Sequence, residues 1–466
     1  MHMGDIKEIL EKQRAFFREG NTLGWRQRRA ALKILGSTIK ESEPEILAAL
    51  KADLGKSGTE GYMCEIGVAL SELKFAQQHL RCWARQRRAA TPLAQFPARS
   101  FIIPEPYGNV LIMAPWNYPF LLCISPLIAA LAAGNTAVIK PSAYAPATSA
   151  VIRKIIDDTF TEDWVAVVEG GREANSELLS ENWNYIFFTG SKAVGKLVMQ
   201  KASEHLTPVS LELGGKSPVI VDADTDLEVA AARIVFGKYL NLGQTCVAPD
   251  HAFVDSRIKD AFIAACKEKI TEMFGENPLA NPDYGKIVNE KHYTRLCETL
   301  DEVKDKIIFG GERNGEELRI SPAILDMGAC SPALRDFRVM REEIFGPVLP
   351  VISYDNLDDV VDFIEGGDRP LAAYFFTEDK QLQKTLLRHL HYGGGCINDT
   401  IIHLATNAMP FGGVGGSGMG AYHGKWGFDT FTHYKSIVSK PTWLDIAMRY
   451  QPYTEKSLKL IRKFLK

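Results

Sequence analysis

The chain predicts an α/β fold built from two successive sheets, and three observations carry that expectation. Between residues 110 and 221, short β-rich apolar runs at 110–114, 136–140, 164–169, 185–188 and 218–221 alternate with segments long enough to be crossover helices, the pattern of a parallel sheet. The alternation resumes beyond residue 226, with helix-like stretches at 227–240 and 258–274 and strand-like ones at 252–254, 348–353 and 372–376. A length of 466 residues, 46% of them hydrophobic, is enough to bury more core than one domain holds. The formal net charge of −3 offers nothing to nucleic acid, so no such partner is expected.

Taken in order, the first residues pass straight into a polar helical pattern without a charged-then-apolar leader, which predicts a cytoplasmic protein. The run 110–114 leads into Pro115-Trp116-Asn117-Tyr118-Pro119, where two prolines stiffen a turn around one carboxamide. Held rigidly, Asn117 can donate to the oxyanion formed when a nucleophile adds to a carbonyl. An Asn in a turn also serves simply to make the turn. Residues 120–133 are apolar, but too short for a membrane span and interrupted by Pro126, so a buried helix is expected.

The segment Thr189-Gly190-Ser191-Lys192-Ala193-Val194-Gly195 follows a strand-like run and opens a helical one. The small residues Gly190, Ser191 and Gly195 would let backbone N–H groups and the helix dipole approach a pyrophosphate, although the spacing is not Gly-x-Gly-x-x-Gly and an ordinary helix cap looks the same. Downstream, Glu212 in Leu-Glu-Leu-Gly-Gly is a candidate general base, with an exposed strand-end acid as the alternative. Cys246 closes Asn241-Leu-Gly-Gln-Thr-Cys246 among small polar neighbours and is a candidate nucleophile; the competing reading is an inert buried thiol. The eight cysteines show no Cys-x-x-Cys spacing and no His cluster joins them, so reduced thiols and no metal are expected.

Read together, Pro-Trp-Asn117, Phe188-Thr-Gly-Ser191, Glu212-Leu-Gly-Gly, Gly-Gln-Thr-Cys246, Glu343-Ile-Phe345-Gly-Pro and Pro410-Phe-Gly-Gly-Val-Gly-Gly-Ser-Gly-Met resemble the aldehyde dehydrogenase superfamily over nearly the whole chain. Gln244-Thr-Cys-Val-Ala-Pro-Asp250 and Ser417-Gly-Met-Gly-Ala-Tyr-His-Gly424 are more similar to its class-three branch, which includes fatty aldehyde dehydrogenases. The resemblance implies an aldehyde dehydrogenase-like fold: a Rossmann-type NAD(P)-binding domain (1–91 and 107–210), an α/β catalytic domain (211–412), a strand arm for oligomerisation (92–106 and 413–440) and a tail (441–466). The arm implies a homodimer, with strands at 92–106 and 431–440.

The roles it implies are Cys246 as nucleophile, Asn117 with the Cys246 backbone N–H as oxyanion donors, and Glu212 as the base that hydrolyses a thioester. NAD or NADP would be held by Lys140, Ser142, Gly190, Ser191 and Gly195, with Glu343 on the nicotinamide ribose and Phe345 beside the ring. Residues 410–413 would shape the site's mouth. The branch implies medium- or long-chain aliphatic or aromatic aldehydes, with Tyr118 helping to line an aromatic tunnel. A semialdehyde substrate, a catalytically silent relative and a cysteine hydrolase using His251 are the alternatives. One departure matters: Ala143 follows Lys140-Pro-Ser142 where NAD-preferring relatives carry Glu, so use of both cofactors is expected. On a helix, residues 455–466 would align Leu458, Ile461 and Leu465, which predicts packing within a dimer rather than peripheral attachment to a membrane.

Overall fold

The computed structural model describes residues 3–464, so Leu465 of the tail lies outside the described residues. Two open sheets form the body. The first has six strands in the order Gly418–Met419, Val209–Leu213, Tyr185–Gly190, Asn109–Met113, Thr136–Lys140 and Val165–Val167. All neighbours are parallel except the short Gly418–Met419. Strand Asn109–Met113 is entirely buried, as a parallel strand covered by helices on both faces must be.

The second sheet has seven strands, Ile307–Phe309, Ala323–Ala329, Val348–Tyr354, His251–Asp255, Pro218–Val221, Ala372–Phe376 and Gly394–Ile397, parallel but for the edge strand Ile307–Phe309. The apolar run 218–221 was expected as the last strand of the first sheet; it opens the second, beside His251–Asp255. The place it vacates is taken by Val209–Leu213, whose Ser210 and Glu212 break the apolar signal although both are buried.

Helix Leu121–Ala133 is buried at every position but Leu122, so its all-round hydrophobicity reflects a core helix. No described helix is long and apolar enough to cross a membrane. A third, antiparallel sheet stands apart from the body. Strand Arg99–Pro106 pairs along its whole length with Thr432–Ser439, from Pro106 opposite Thr432 to Arg99 opposite Ser439. The extended stretch expected from residue 92 begins with a 3-10 turn at Leu93–Gln95, and a short added strand, Arg87–Ala89, is fully exposed and so left no hydrophobic trace in the sequence.

Candidate active site

In the first sheet the chain runs outward from Asn109–Met113 to one side, then returns to its other side with Tyr185–Gly190. That reversal is where open α/β sheets place their ligand crevice, beyond the carboxyl ends of the strands. The loops leaving those two strands carry Pro115-Trp116-Asn117 and Gly190-Ser191, and they wall a cavity of about 260 Å³. Glu212 and Gly214 come from the next strand end, Cys246 from the turn before His251–Asp255 of the second sheet, and Glu343 and Phe345 from the loop before Val348–Tyr354.

Asn117, Gly190, Ser191, Glu212, Cys246, Glu343 and Phe345 therefore share one cavity. Lys140, Ser142 and Gly195 are not on its wall. Lys140 ends the adjoining strand Thr136–Lys140 and donates to the Pro141 carbonyl at 2.7 Å, while burial pulls its ammonium down to about 8. The Ser142 hydroxyl accepts from the Tyr144 N–H. Gly195 sits on helix Lys192–Ser203, where an added Cβ would stand 2.7 Å from Leu213; glycine lets the helix lie close on the strand.

The nucleophile turn is unusual in its backbone. Asn241, Leu242 and Gly243 all have positive φ, at 50°, 52° and 70°. For a Leu such a conformation costs free energy, and it is retained where the surroundings over-determine it. Here Gln244 does so: its amide donates to the carbonyls of Asn241 and Lys286, and its oxygen accepts the Val288 N–H. Asn117 is tied to this turn by its own amide, which donates 3.0 Å to the Gln244 carbonyl. Tyr118 does not line the cavity. It is buried, with its hydroxyl 2.6 Å from that of Thr245, so its role is to fasten the two turns together.

Electrostatics distinguish the acids. Glu212 is 3% exposed, neither carboxylate oxygen has a partner, and burial pushes its pKa well above the usual carboxylate range. Burial, aided by the charges of Glu343 and Glu212, pushes the Cys246 thiol up to about 12, against a partial opposing pull from the backbone N–H groups of Cys246 and Val247. Glu343 is raised to about 8, mainly by burial, and its Oε1 has no partner. The Glu343 loop is held by Lys216, which ion-pairs with Asp250 and donates to the carbonyls of Val339 and Glu342; Asp250 also accepts the Ile344 N–H.

His292 and Arg295, three positions apart on helix Glu290–Glu302, complete the wall with Leu122. Sequence reasoning missed them because no motif ties that helix to the other loops. Trp116 stands 5.0 Å from His292 and 5.4 Å edge-on to Phe345, and Arg295 donates to the Ile344 carbonyl at 2.8 Å. His251, the one histidine considered as a partner for Cys246, is buried against Asp250 and Phe253 and is not on the wall.

A sequence profile described as "Aldehyde dehydrogenase family" matches residues 2–437. Over 464 residues, covering the whole of both chains, this one is 47% identical to a 4,4'-diaponeurosporen-aldehyde dehydrogenase of Staphylococcus aureus. It is 43% identical to aldehyde dehydrogenase family 3 member H1 of Arabidopsis thaliana, across 98% of this chain and 94% of that one. A solved structure described as the substrate-bound state of Staphylococcus aureus AldH superposes with a TM-score of 0.96 at 46% identity, covering 99% of each chain.

Proposed function

The chain belongs to the aldehyde dehydrogenase family, in its class-three branch, and from that premise we propose that its inter-sheet cavity oxidises aldehydes to carboxylic acids through Cys246, with Asn117, Glu212 and Glu343 in supporting roles. The observation that carries this reading is the meeting of these four side chains, drawn from both sheets, on one cavity.

The site suits a nicotinamide dinucleotide. Glu343 Oε1 is a buried acceptor lacking a donor, which ribose hydroxyls would supply, and the N-terminus of helix Lys192–Ser203, opened by Gly190-Ser191, would offer N–H groups to a phosphate. Gly195 lets that helix lie close to the sheet, and Lys140 and Ser142, at the end of the adjoining strand, would hold the adenosine part of the cofactor. Phe345, braced edge-on by Trp116, would pack beside the nicotinamide. When bound, NAD or NADP supplies the acceptor for the hydride lost by the aldehyde carbon.

Cys246 releases its thiol proton to solvent water and adds its sulfur, as thiolate, to the carbonyl carbon. Asn117 Nδ2 and the Cys246 backbone N–H donate to the resulting oxyanion. Loss of hydride leaves a thioester on Cys246. Glu212, kept poised by burial, takes a proton from the water that attacks this thioester, and the acid departs with the thiol restored.

The preferred substrates are medium- or long-chain aliphatic or aromatic aldehydes. Leu122, Trp116 and Phe345 give the cavity an apolar wall, which suits an apolar aldehyde. The protein works as a homodimer joined through the three-stranded arm, in a reducing, cytoplasmic compartment that suits its eight unpaired cysteines. The test is reduction of NAD and NADP with a panel of aliphatic, aromatic and semialdehyde substrates. We expect kcat/KM to rise with apolar chain length; highest activity on semialdehydes would overturn the substrate class, and no reduction with any aldehyde would overturn the site.

A further inference from the structure

Away from the cavity wall, Lys56 and Glu65 form an ion pair 2.6 Å apart in which the two side chains are 1% and 0% exposed. Taking both charges out of water is unfavourable, and pairs of this kind can often be replaced by apolar side chains without loss of stability. Stability is therefore a weak reason for the pair, and what it grips is more telling.

Lys56 Nζ donates 2.9 Å to the carbonyl of Asn117 and lies 4.0 Å from the centre of the Tyr118 ring. Glu65 answers from the other side. Its Oε1 takes the ammonium, and its Oε2 accepts the backbone N–H groups of Phe120 and Leu121 at 2.9 and 3.1 Å. Those two N–H groups start helix Leu121–Ala133, where the helix itself provides no acceptor. One ion pair thus holds both ends of Asn117-Tyr118-Pro119-Phe120. Glu65 reaches this place from a π-helical turn, Tyr62–Ile66, a widened geometry that recurs at functional sites. Asn241 donates to the same Asn117 carbonyl at 2.8 Å, and the Asn117 amide spends one N–H on Gln244, leaving the other for the cavity.

We propose that the Lys56–Glu65 pair is the positioning device for the Asn117 oxyanion donor, fixing the loop that carries it relative to the Cys246 turn. Neither residue lines the cavity, so each acts through Asn117. The inference rests on the reading of Asn117 as an oxyanion donor.

The experiment is a double-mutant cycle read in single-turnover hydride transfer, with aldehyde KM and the cofactor dissociation constant measured alongside. Asn117→Ala is measured first; unchanged hydride transfer there removes the oxyanion reading and this inference with it. Given a slow Asn117→Ala, Lys56→Met in the parent is expected to slow hydride transfer by about 10- to 100-fold, the scale set by small misplacements of a reacting geometry, with KM and cofactor affinity within about twofold. In the Asn117→Ala background the same substitution should add less than about twofold, since residues acting as a unit are non-additive. Effects that multiply in full, or a Lys56→Met enzyme as fast as the parent, overturn the proposal while leaving the role of Asn117 intact. Should Lys56→Met fail to fold, Glu65→Gln, which keeps the shape and removes the charge, runs the same cycle with the same outcomes.

Discussion

Replacing Glu212 by Gln separates the two halves of the proposed reaction. The substitution keeps size and shape but leaves nothing that can accept a proton, and a positioned general base contributes about 10²- to 10⁴-fold. Steady-state turnover should fall by that factor, while the first hydride transfer survives. Rapid mixing should then give a burst of one reduced cofactor per active site followed by a slow phase, with the acyl group found on Cys246 by intact mass. No burst, with slow hydride transfer instead, would mean that Glu212 acts on the thiol and not on water. The pH dependence follows from burial. Glu212 works as the carboxylate, so deacylation in the parent should rise with pH through its elevated pKa, and this limb should vanish in the variant. Stability carries the same sign. Above the ordinary carboxyl value of 4.5 the unfolded chain releases a proton that the folded chain keeps, so the native state loses stability as pH rises toward the folded pKa. Glu212→Gln has no such loss. Its Tm relative to the parent should climb with pH in that window; a constant difference would refute the buried, protonated carboxyl.

Cys246→Ala should abolish aldehyde oxidation while cofactor affinity, by fluorescence titration, stays close to the parent's; retained turnover would remove Cys246 as nucleophile. Alkylation of Cys246 in the cofactor-free protein should rise about tenfold per pH unit to well beyond the ordinary thiol pKa of about 8.5, because the thiol is pushed up to about 12. Glu343→Gln should move that profile to lower pH by more than Glu212→Gln does, since Glu343 is the stronger of the two charges acting on the thiol; the opposite order would refute the assignment. Ala143→Glu should depress kcat/KM for NADP and spare NAD, because Ala143 is exposed beyond Lys140 and Ser142 and a carboxylate there would repel a 2′-phosphate; strict NAD use by the parent would show that another residue decides. In the tail, Leu458 and Ile461 line a groove of about 1230 Å³ with Leu93, Phe96 and Val438, so deleting residues 455–466 should weaken the dimer in light scattering, whereas liposome binding lost on the deletion would assign the helix to a membrane.

The parts of this protein legible in its sequence are those where local pattern and buried environment coincide. Strand Thr136–Lys140 is all buried and reads as one apolar run; helix Leu121–Ala133 reads as a core helix because lipid-length hydrophobicity is missing. The Pro115-Trp116-Asn117 and Gly190-Ser191 turns are visible because a turn at a strand end needs Pro or small residues, and the topology then brings such ends together. Strand Val209–Leu213 was hidden because its buried polar residues mimic an exposed pattern. Lys56, Glu65, Asn241, His292 and Arg295 were illegible for a different reason: each is ordinary in its local context and acquires meaning only through a partner from another segment, as Lys56 does 61 residues away at Asn117. Tyr118 stands next to Asn117 in the chain, yet its buried hydroxyl is turned to Thr245, a partner that adjacency does not reveal.

The two-sheet construction also explains why ionisation of the acids in this site is opposed. Glu212, Glu343 and Cys246 arrive from separate segments into one cavity, and among the described residues no lysine or arginine forms an ion pair with any of them; Lys216 pairs with Asp250 instead. Each ionisation is opposed first by burial, and for Cys246 and Glu343 also by neighbouring negative charge, so the thiol's titration is coupled to that of the carboxylates beside it. Such a pocket favours the neutral thiol over the thiolate. It also makes release of the thiol proton part of the attack itself rather than of the resting site. A cation beside Cys246 would instead lower the thiol's pKa and favour the thiolate before substrate arrives. The demand on geometry then falls on the groups that meet the carbonyl, and the ties from Asn117 to Gln244 and from Tyr118 to Thr245 fix the oxyanion turn against the Cys246 turn.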